Sequence, residues 1–188
     1  DKGRLCIVLP ETYFFSPSYK FVRDWVKDRL KPICVANVPM DAFQGFCRAK
    51  TNLYIFEKID KKKTNVNLES DLVTFLNPQT CGIYKNGSDR FIVNSAGERT
   101  KINDNELLRL AIKYQNGQND EMFTVPLADT YKADVLVPQY YDYSLQRPFD
   151  ELKLTHKFEQ ISIEELINKG IITVSGGHGS PSNDMRNG

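Results

Sequence analysis

A continuous apolar run, an amphipathic helical stretch and two further strand-like runs follow one another over residues 4–58. That order makes the chain a mixed α/β protein. From residue 71 onward the pattern changes to short strand-like runs, turn signals and two capped helical stretches, which predicts a smaller α+β part. Between the two, KIDKKKTNVNLES (58–70) is charged and polar with no hydrophobic period, so it is a linker or exposed loop.

Taken in order, RLCIVL (4–9) suits a strand buried on both faces, as in a parallel sheet, and Pro10 ends it. Ser16 can cap a helix with Pro17 near its first turn. Along that helix Phe21, Val22, Trp25, Val26 and Leu30 form the apolar face, Lys20, Arg23, Asp24, Lys27 and Asp28 the polar one, and Pro32 marks the stop. ICVANVP (33–39) and TNLYIFEK (51–58) read as strands on either side of the loop MDAFQGFCRAK (40–50). Further on, LVTFL and CGIYKNGSDRFIVN suggest a hairpin turned at Asn86-Gly87. NDNELLRLAIKYQNG (103–117) reads as a helix leaving at Gly117, and aromatics crowd at Tyr140, Tyr141, Tyr143 and Phe149. A capping box, Ser162 with Glu165, opens a short helix that ends at Gly170, and IITVS then reads as a strand.

Composition excludes several classes. The 25 Lys and Arg nearly cancel the 24 Asp and Glu, for a net charge of +1, so this is not a globally basic, nucleic-acid-coating protein. No apolar run approaches the ~20 residues of a membrane span. Cys6, Cys34, Cys47 and Cys81 form no Cys-x-x-Cys pair, and with two histidines there is no zinc-ligand cluster; reduced thiols in a cytoplasmic protein are expected.

The loop 40–50 is the most chemically suggestive segment. Phe43 and Phe46 flank Gln44-Gly45, followed by Arg48, Lys50, Thr51 and Asn52. Rings beside cations and amides suit stacking on an unpaired nucleobase. The same rings could equally fold back over the sheet edge as core, and spacing alone favours that. GGHGSPS (176–182) lacks the Gly-Lys-Ser/Thr ending of a phosphate loop, and the Lys58–Lys63 run is more simply solvated than bound to phosphate. No Gly-x-Ser-x-Gly elbow or His-Glu-x-x-His occurs.

Gly3-Arg4, the apolar strand ending in Leu9-Pro10, Val22-Arg23, Val38-Pro39, the Phe-containing loop and Lys50-Thr51-Asn52 stand in an order and spacing that resembles the amino-methylating DNA methyltransferases. The resemblance is strongest to the modification subunits of type I restriction systems and their fused relatives. The segment ISIEELINKGIITVSGGHGSPSNDMRNG looks like the lead-in to a target-recognition domain of the specificity-subunit type. The resemblance implies the C-terminal half of a Rossmann-like, S-adenosylmethionine-dependent methyltransferase sheet, with 33–39 and 51–58 as an antiparallel pair. It divides the chain into 1–58 (methyltransferase core), 59–150 (α+β connector) and 151–188 (lead-in to target recognition).

The implied reaction moves a methyl group from S-adenosylmethionine to the amino group of a flipped adenine, with Phe46, or alternatively Phe43, stacking on the base and Arg48, Lys50, Thr51 and Asn52 near the DNA. The implied partners are DNA, a specificity subunit or fused target-recognition domain, and a restriction subunit. Neither the glycine-rich donor motif nor Asn/Asp-Pro-Pro-Tyr/Phe occurs; Asn77-Pro78-Gln79 is not one. The chain alone is therefore expected to be inactive, with donor binding and catalysis upstream in a parent protein. Its open sheet edge would invite self-association. The alternative is a non-catalytic module that binds DNA or a specificity partner.

Overall fold

The structure, a computed structural model, describes residues 3–43, 49–59, 66–145, 148, 151–152 and 161–174. It forms two compact units, Asp1–Asp142 and Tyr143–Gly188.

The first unit is built on a mixed five-stranded sheet. Its strands are β1 (Arg4–Pro10), β2 (Leu30–Val38), β3 (Thr51–Lys58), β4 (Leu72–Leu76) and β7 (Phe123–Pro126), in the order β1-β3-β2-β4-β7. β3 lies between β1 and β2 and is antiparallel to both; β2 and β4 are parallel; β7 closes the far edge antiparallel to β4. The expected pairing of 33–39 with 51–58 is present, Val38 opposite Thr51 and Asn37 opposite Asn52. β2 begins earlier than expected, at Leu30, and carries Pro32 inside it. A proline cannot donate to the ladder, and the register shifts between Pro32 and Cys34.

Alternation along these strands supplies two core layers. Val35, Tyr54, Phe56, Val73 and Phe75 face one side with Phe14, Val26 of α1 (Lys20–Arg29), Leu127 of α3 (Leu127–Ala133) and Tyr141. Cys34, Ala36 and Leu76 face the other side with Leu110 of α2 (Glu106–Gln115), Met122 and the half-buried Leu53 and Ile55. Phe75 and Tyr141 stack at 4.2 Å between ring centroids, and Phe14 meets Tyr54 at the same distance. β4 and β7 thus continue the sheet begun by residues 4–58, with helices on both faces.

Several expectations are corrected. β1 is not a strand buried on both faces. It is the sheet's edge, paired only with β3, and Leu5, Cys6 and Val8 are exposed because nothing in the described chain covers them. Ser16 makes no side-chain cap; Pro17–Tyr19 form a 3-10 turn and α1 starts at Lys20. On α1 the apolar face is split. Val26 is buried and Val22 half-buried, but Phe21 (69% exposed) and Trp25 (54%) face outward. Arg23, expected on the polar face, is buried because Asp134 awaits it.

Asn86-Gly87 does turn the chain, with Gly87 at φ +82 and Tyr84 N–H donating to Ser88, but only the Ile83–Asp89 bridge flanks it. LVTFL joins the main sheet as β4, and the hairpin is made instead by β5 (Phe91–Val93) and β6 (Arg99–Asn103). The α2 helix is capped by the Asn105 side chain, which accepts from Leu108 N–H, and Gly117 leaves it at φ +71.

In the second unit, α4 (Ile163–Asn168) opens as the capping box predicts, Ser162 Oγ accepting from Glu165 N–H, with Gly170 beyond it at φ +69. Residues 171–174 do not form the expected strand; they have no regular structure.

Candidate functional site

The strands β1, β2 and β4 run in the same direction, so their carboxyl ends meet at one end of the sheet. After β2 the chain turns toward β3 on one side; after β4 it continues toward β7 on the other. Adjacent parallel strands whose connections diverge leave a crevice outside their carboxyl ends. Here it measures about 290 Å³ and is lined by Asn37 and Val38 at the end of β2, Pro39, Met40 and Asp41 after it, Lys50 before β3, Gln79 after β4, and Gln139.

Local sequence explains each wall. Met40–Phe43 wind into a 3-10 turn at the end of β2, with Ala42 N–H donating to Pro39, which holds Asp41 at the rim and leaves Phe43 half-buried. Lys50 is exposed, and its carbonyl accepts from Glu11 N–H, tying the start of β3 to the end of β1. Asn37 is buried and donates from Nδ2 to the Pro78 carbonyl at 2.7 Å, which fixes the Asn77-Pro78-Gln79 turn against β2. Asn77 Nδ2 donates to Asp142, and Gln79 Nε2 to the Asn77 carbonyl.

This end of the sheet is electrostatically unfinished. Glu11 Oε2, Thr51 Oγ1, Asn52 Oδ1, Asn77 Oδ1 and Gln139 Oε1 are buried with no hydrogen-bond partner among the described residues. Each such group costs roughly 1–3 kcal/mol, so a cluster of them marks a place where structure is kept for something other than stability. Asn52 is fully buried and donates to Tyr54 Oη at 3.1 Å; burial pushes the Tyr54 hydroxyl well up, so it stays protonated.

Of the residues singled out in the sequence, the structure brings Lys50, Thr51, Asn52 and Phe43 to this end of the sheet, Lys50 on the surface and Thr51 and Asn52 in its interior. Phe46 and Arg48 lie outside the described residues. Asn37, Gln79 and Gln139 were not singled out. The signal that could have found Asn37 and Gln79 is their position just inside or just past the ends of apolar strands. Gln139 is about a hundred residues away and carries no such signal. Among the described residues no three His, Cys, Asp or Glu side chains gather as a metal site, and no helix is long and apolar enough to cross a membrane.

A second, apolar hollow of about 490 Å³ lies at the other end of β1, lined by Leu5, Trp25, Leu30 and Ile59 with Arg4, Arg29 and Lys58 at its margin. Beside it the outer edge of β1 is open. Gly3 O accepts from Lys58 N–H, and Lys50 O from Glu11 N–H. The pairing register then turns the backbone of residues 5, 7 and 9 toward β3 and that of Arg4, Cys6 and Val8 outward.

No protein-family model matches the chain, and no curated protein matches it. Among solved structures, it is similar to a chain from work described as "Structural basis underlying complex assembly and conformational transition of the type I R-M system", with 16% identity and a TM-score of 0.45. The match covers 90% of this chain and 36% of that one, so this chain spans little more than a third of the solved chain's length.

Proposed function

We propose that this chain is part of a site-specific DNA methyltransferase of a restriction–modification system, working in the cytoplasm and acting on the amino group of adenine. Its contribution is the wall that receives the target base. The observation that carries the reading is the meeting of separately recognised motifs. Val38-Pro39 at the end of β2 and Lys50, which opens Lys50-Thr51-Asn52 at the other end of the Phe-containing loop, line one crevice at the carboxyl end of β2 together with Met40 and Asp41 of that loop.

Two further features support it. The antiparallel β2–β3 pair is the arrangement the resemblance implies for the end of a methyltransferase sheet. The open, apolar edge of β1 is where a donor-binding half would add its strands, parallel to the outward-facing Arg4, Cys6 and Val8. Without that half, the same edge can pair with a second copy of the chain.

S-adenosylmethionine is assigned to the parent protein and not to these residues. A donor site of the implied kind needs a glycine turn between a strand and a helix N-terminus. The described glycines with positive φ, at 82, 87, 97, 117 and 170, sit in hairpin turns, in the segment before β5 and at helix exits instead. In the parent, Phe46, or alternatively Phe43, would stack on the extruded adenine, and Arg48 and Lys50 would neutralise neighbouring phosphates.

The test uses the parent protein, a tritiated methyl donor and duplex DNA with a mismatched target adenine. Phe46→Ala should weaken DNA binding by about 1–3 kcal/mol while the protein stays folded, as loss of one stacking contact requires. No methyl transfer by the parent would remove the enzymatic reading and leave a DNA- or partner-binding module. Unfolding of Phe46→Ala would make the ring core and transfer the stacking role to Phe43, tested by the same substitution there.

A further inference from the structure

The crevice between β2 and β4 offers more than a rim. Its lining carries three carboxamides, the buried Asn37, the half-buried Gln139 and the exposed Gln79, with one cation, Lys50, and one carboxylate, Asp41. Gln79 and Gln139 come from the part of the chain that follows the loop-bearing segment, so the crevice is assembled from two halves of the first unit. The Gln139 amide oxygen is buried and unpartnered, and Asn77 Oδ1 beside the Pro78 turn is in the same condition. A bound N–H donor, together with a half-turn of the Gln139 amide, would give that side chain the partner it lacks.

Carboxamides offer paired donor and acceptor atoms that match the edge of a base, and a lone ammonium matches a phosphate. A volume of about 290 Å³ admits one base-sized group with its sugar. We propose that this crevice binds a second nucleotide of the DNA strand that carries the target base, with Gln79 and Gln139 on the base edge and Lys50 on the phosphate. Asp41 and the Gln139 oxygen are both acceptors, so the crevice selects a base with an exocyclic amino group, as adenine, cytosine and guanine have, over thymine. Gln79 and Gln139 are then specificity-determining residues contributed by the connector. This inference rests on the reading of the chain as part of a DNA methyltransferase, but its test requires no methyl transfer.

The 188-residue chain is titrated with six-nucleotide single strands of dA, dC and dT while the Asn and Gln side-chain amide signals are followed by NMR. The Gln79 and Gln139 signals should shift and saturate, with dA or dC binding at least fivefold more tightly than dT. Gln139→Leu, which keeps the volume and removes the acceptor, should erase that preference with the backbone spectrum unchanged. Lys50→Gln should weaken all three strands alike and reduce the salt dependence by about 0.7 of a logarithmic unit per decade.

Equal affinity for the three strands, shifts confined to the 40–50 loop, or a Gln139→Leu variant that still discriminates would each overturn the proposal. If Gln139→Leu unfolds, Gln79→Leu is read in its place by the same criteria. Failure of the methyltransferase reading would look different: crevice binding intact in this chain, and no methyl transfer by the parent.

Discussion

Asp134→Asn tests the contact that joins α1 to the end of α3. Asp134 sits at φ +56, a left-handed position that asparagine tolerates, so the substitution removes charge without adding backbone strain. Its carboxylate receives Arg23 Nε at 2.8 Å and an ion pair from Lys27. The Arg23 side chain is only 5% exposed and also donates from Nη1 to the Ser16 carbonyl at 2.7 Å. Removing one member of a buried pair costs about 3–5 kcal/mol because the other charge stays buried. Here Asp134 is itself 26% exposed, the asparagine oxygen can still accept one bond and Lys27 can turn to solvent, so the cost falls to or below the lower end of that range, about 2–3 kcal/mol. With a urea slope of about 2 kcal/mol per molar, the midpoint should fall by roughly 1–1.5 M.

Arg23→Met in the same background should recover part of the loss, because it removes the stranded charge and keeps the packing. A midpoint unchanged within 0.2 M, roughly the resolution of such a curve, or a double variant whose losses simply add, would refute this account. The pH dependence carries the same sign. Burial would raise the Asp134 carboxyl, but the hydrogen bonds from Arg23 and Lys27 outweigh it and hold the group below its ordinary value. Its stabilising effect is therefore complete above about pH 5 and fades as pH falls through the unfolded value near 4 toward the lower folded one. The Asp134→Asn variant should lose that part of the acid dependence.

Gly82→Ala should be far worse than Gly117→Ala, although both glycines have positive φ. A Cβ at 82 would lie 2.4 Å from Asn103 Oδ1 and 2.9 Å from Asn105 Nδ2, the side chain that caps α2, whereas at 117 nothing lies within 4 Å. Gly117→Ala should cost about 1 kcal/mol and Gly82→Ala about 2–4, a melting-temperature gap of roughly 4–10 °C by calorimetry. In native protein at pH 8, Cys34 should resist thiol reagents that modify the exposed Cys6. Burial pushes the Cys34 thiol up to about 12, against a partial offset from its Tyr114 hydrogen bond, and peptide mapping by mass spectrometry reads the difference.

The parts of the fold that were legible in the sequence are those set by neighbours along the chain. Asn105 and Gly117 bracket α2, Ser162 and Gly170 bracket α4, and Asn86-Gly87 makes its turn, because caps and turns are decided within a few residues. Two apolar runs joined by a loop marked β2 and β3 as strands, and their antiparallel pairing was what the family resemblance implied. What failed depended on distant partners. Arg23 reads as surface until Asp134, 111 residues later, takes it inside. RLCIVL reads as buried on both faces, yet among the described residues only β3 pairs with it, and Leu5, Cys6 and Val8 are exposed. Phe21 and Trp25 fit the helical period but stay more than half exposed. At the crevice, Lys50 stood out from loop composition, while Gln79 and Gln139 reach it only through the routes of β4 and of the segment after α3.

The sheet order also sets a timetable for synthesis. Leu136 N–H closes onto the Phe14 carbonyl, and Leu127 completes the layer over β4, so the N-terminal strands are sealed only when the chain has grown 136 − 14 = 122 residues further. At typical elongation rates that is roughly 6–24 s on the ribosome. For all that time the core face of β2 and β3 lacks part of its covering layer. Contacts this far apart also make folding slow once the chain is released. A chaperone that holds extended apolar segments would meet these strands before Leu127 and Leu136 have closed over them.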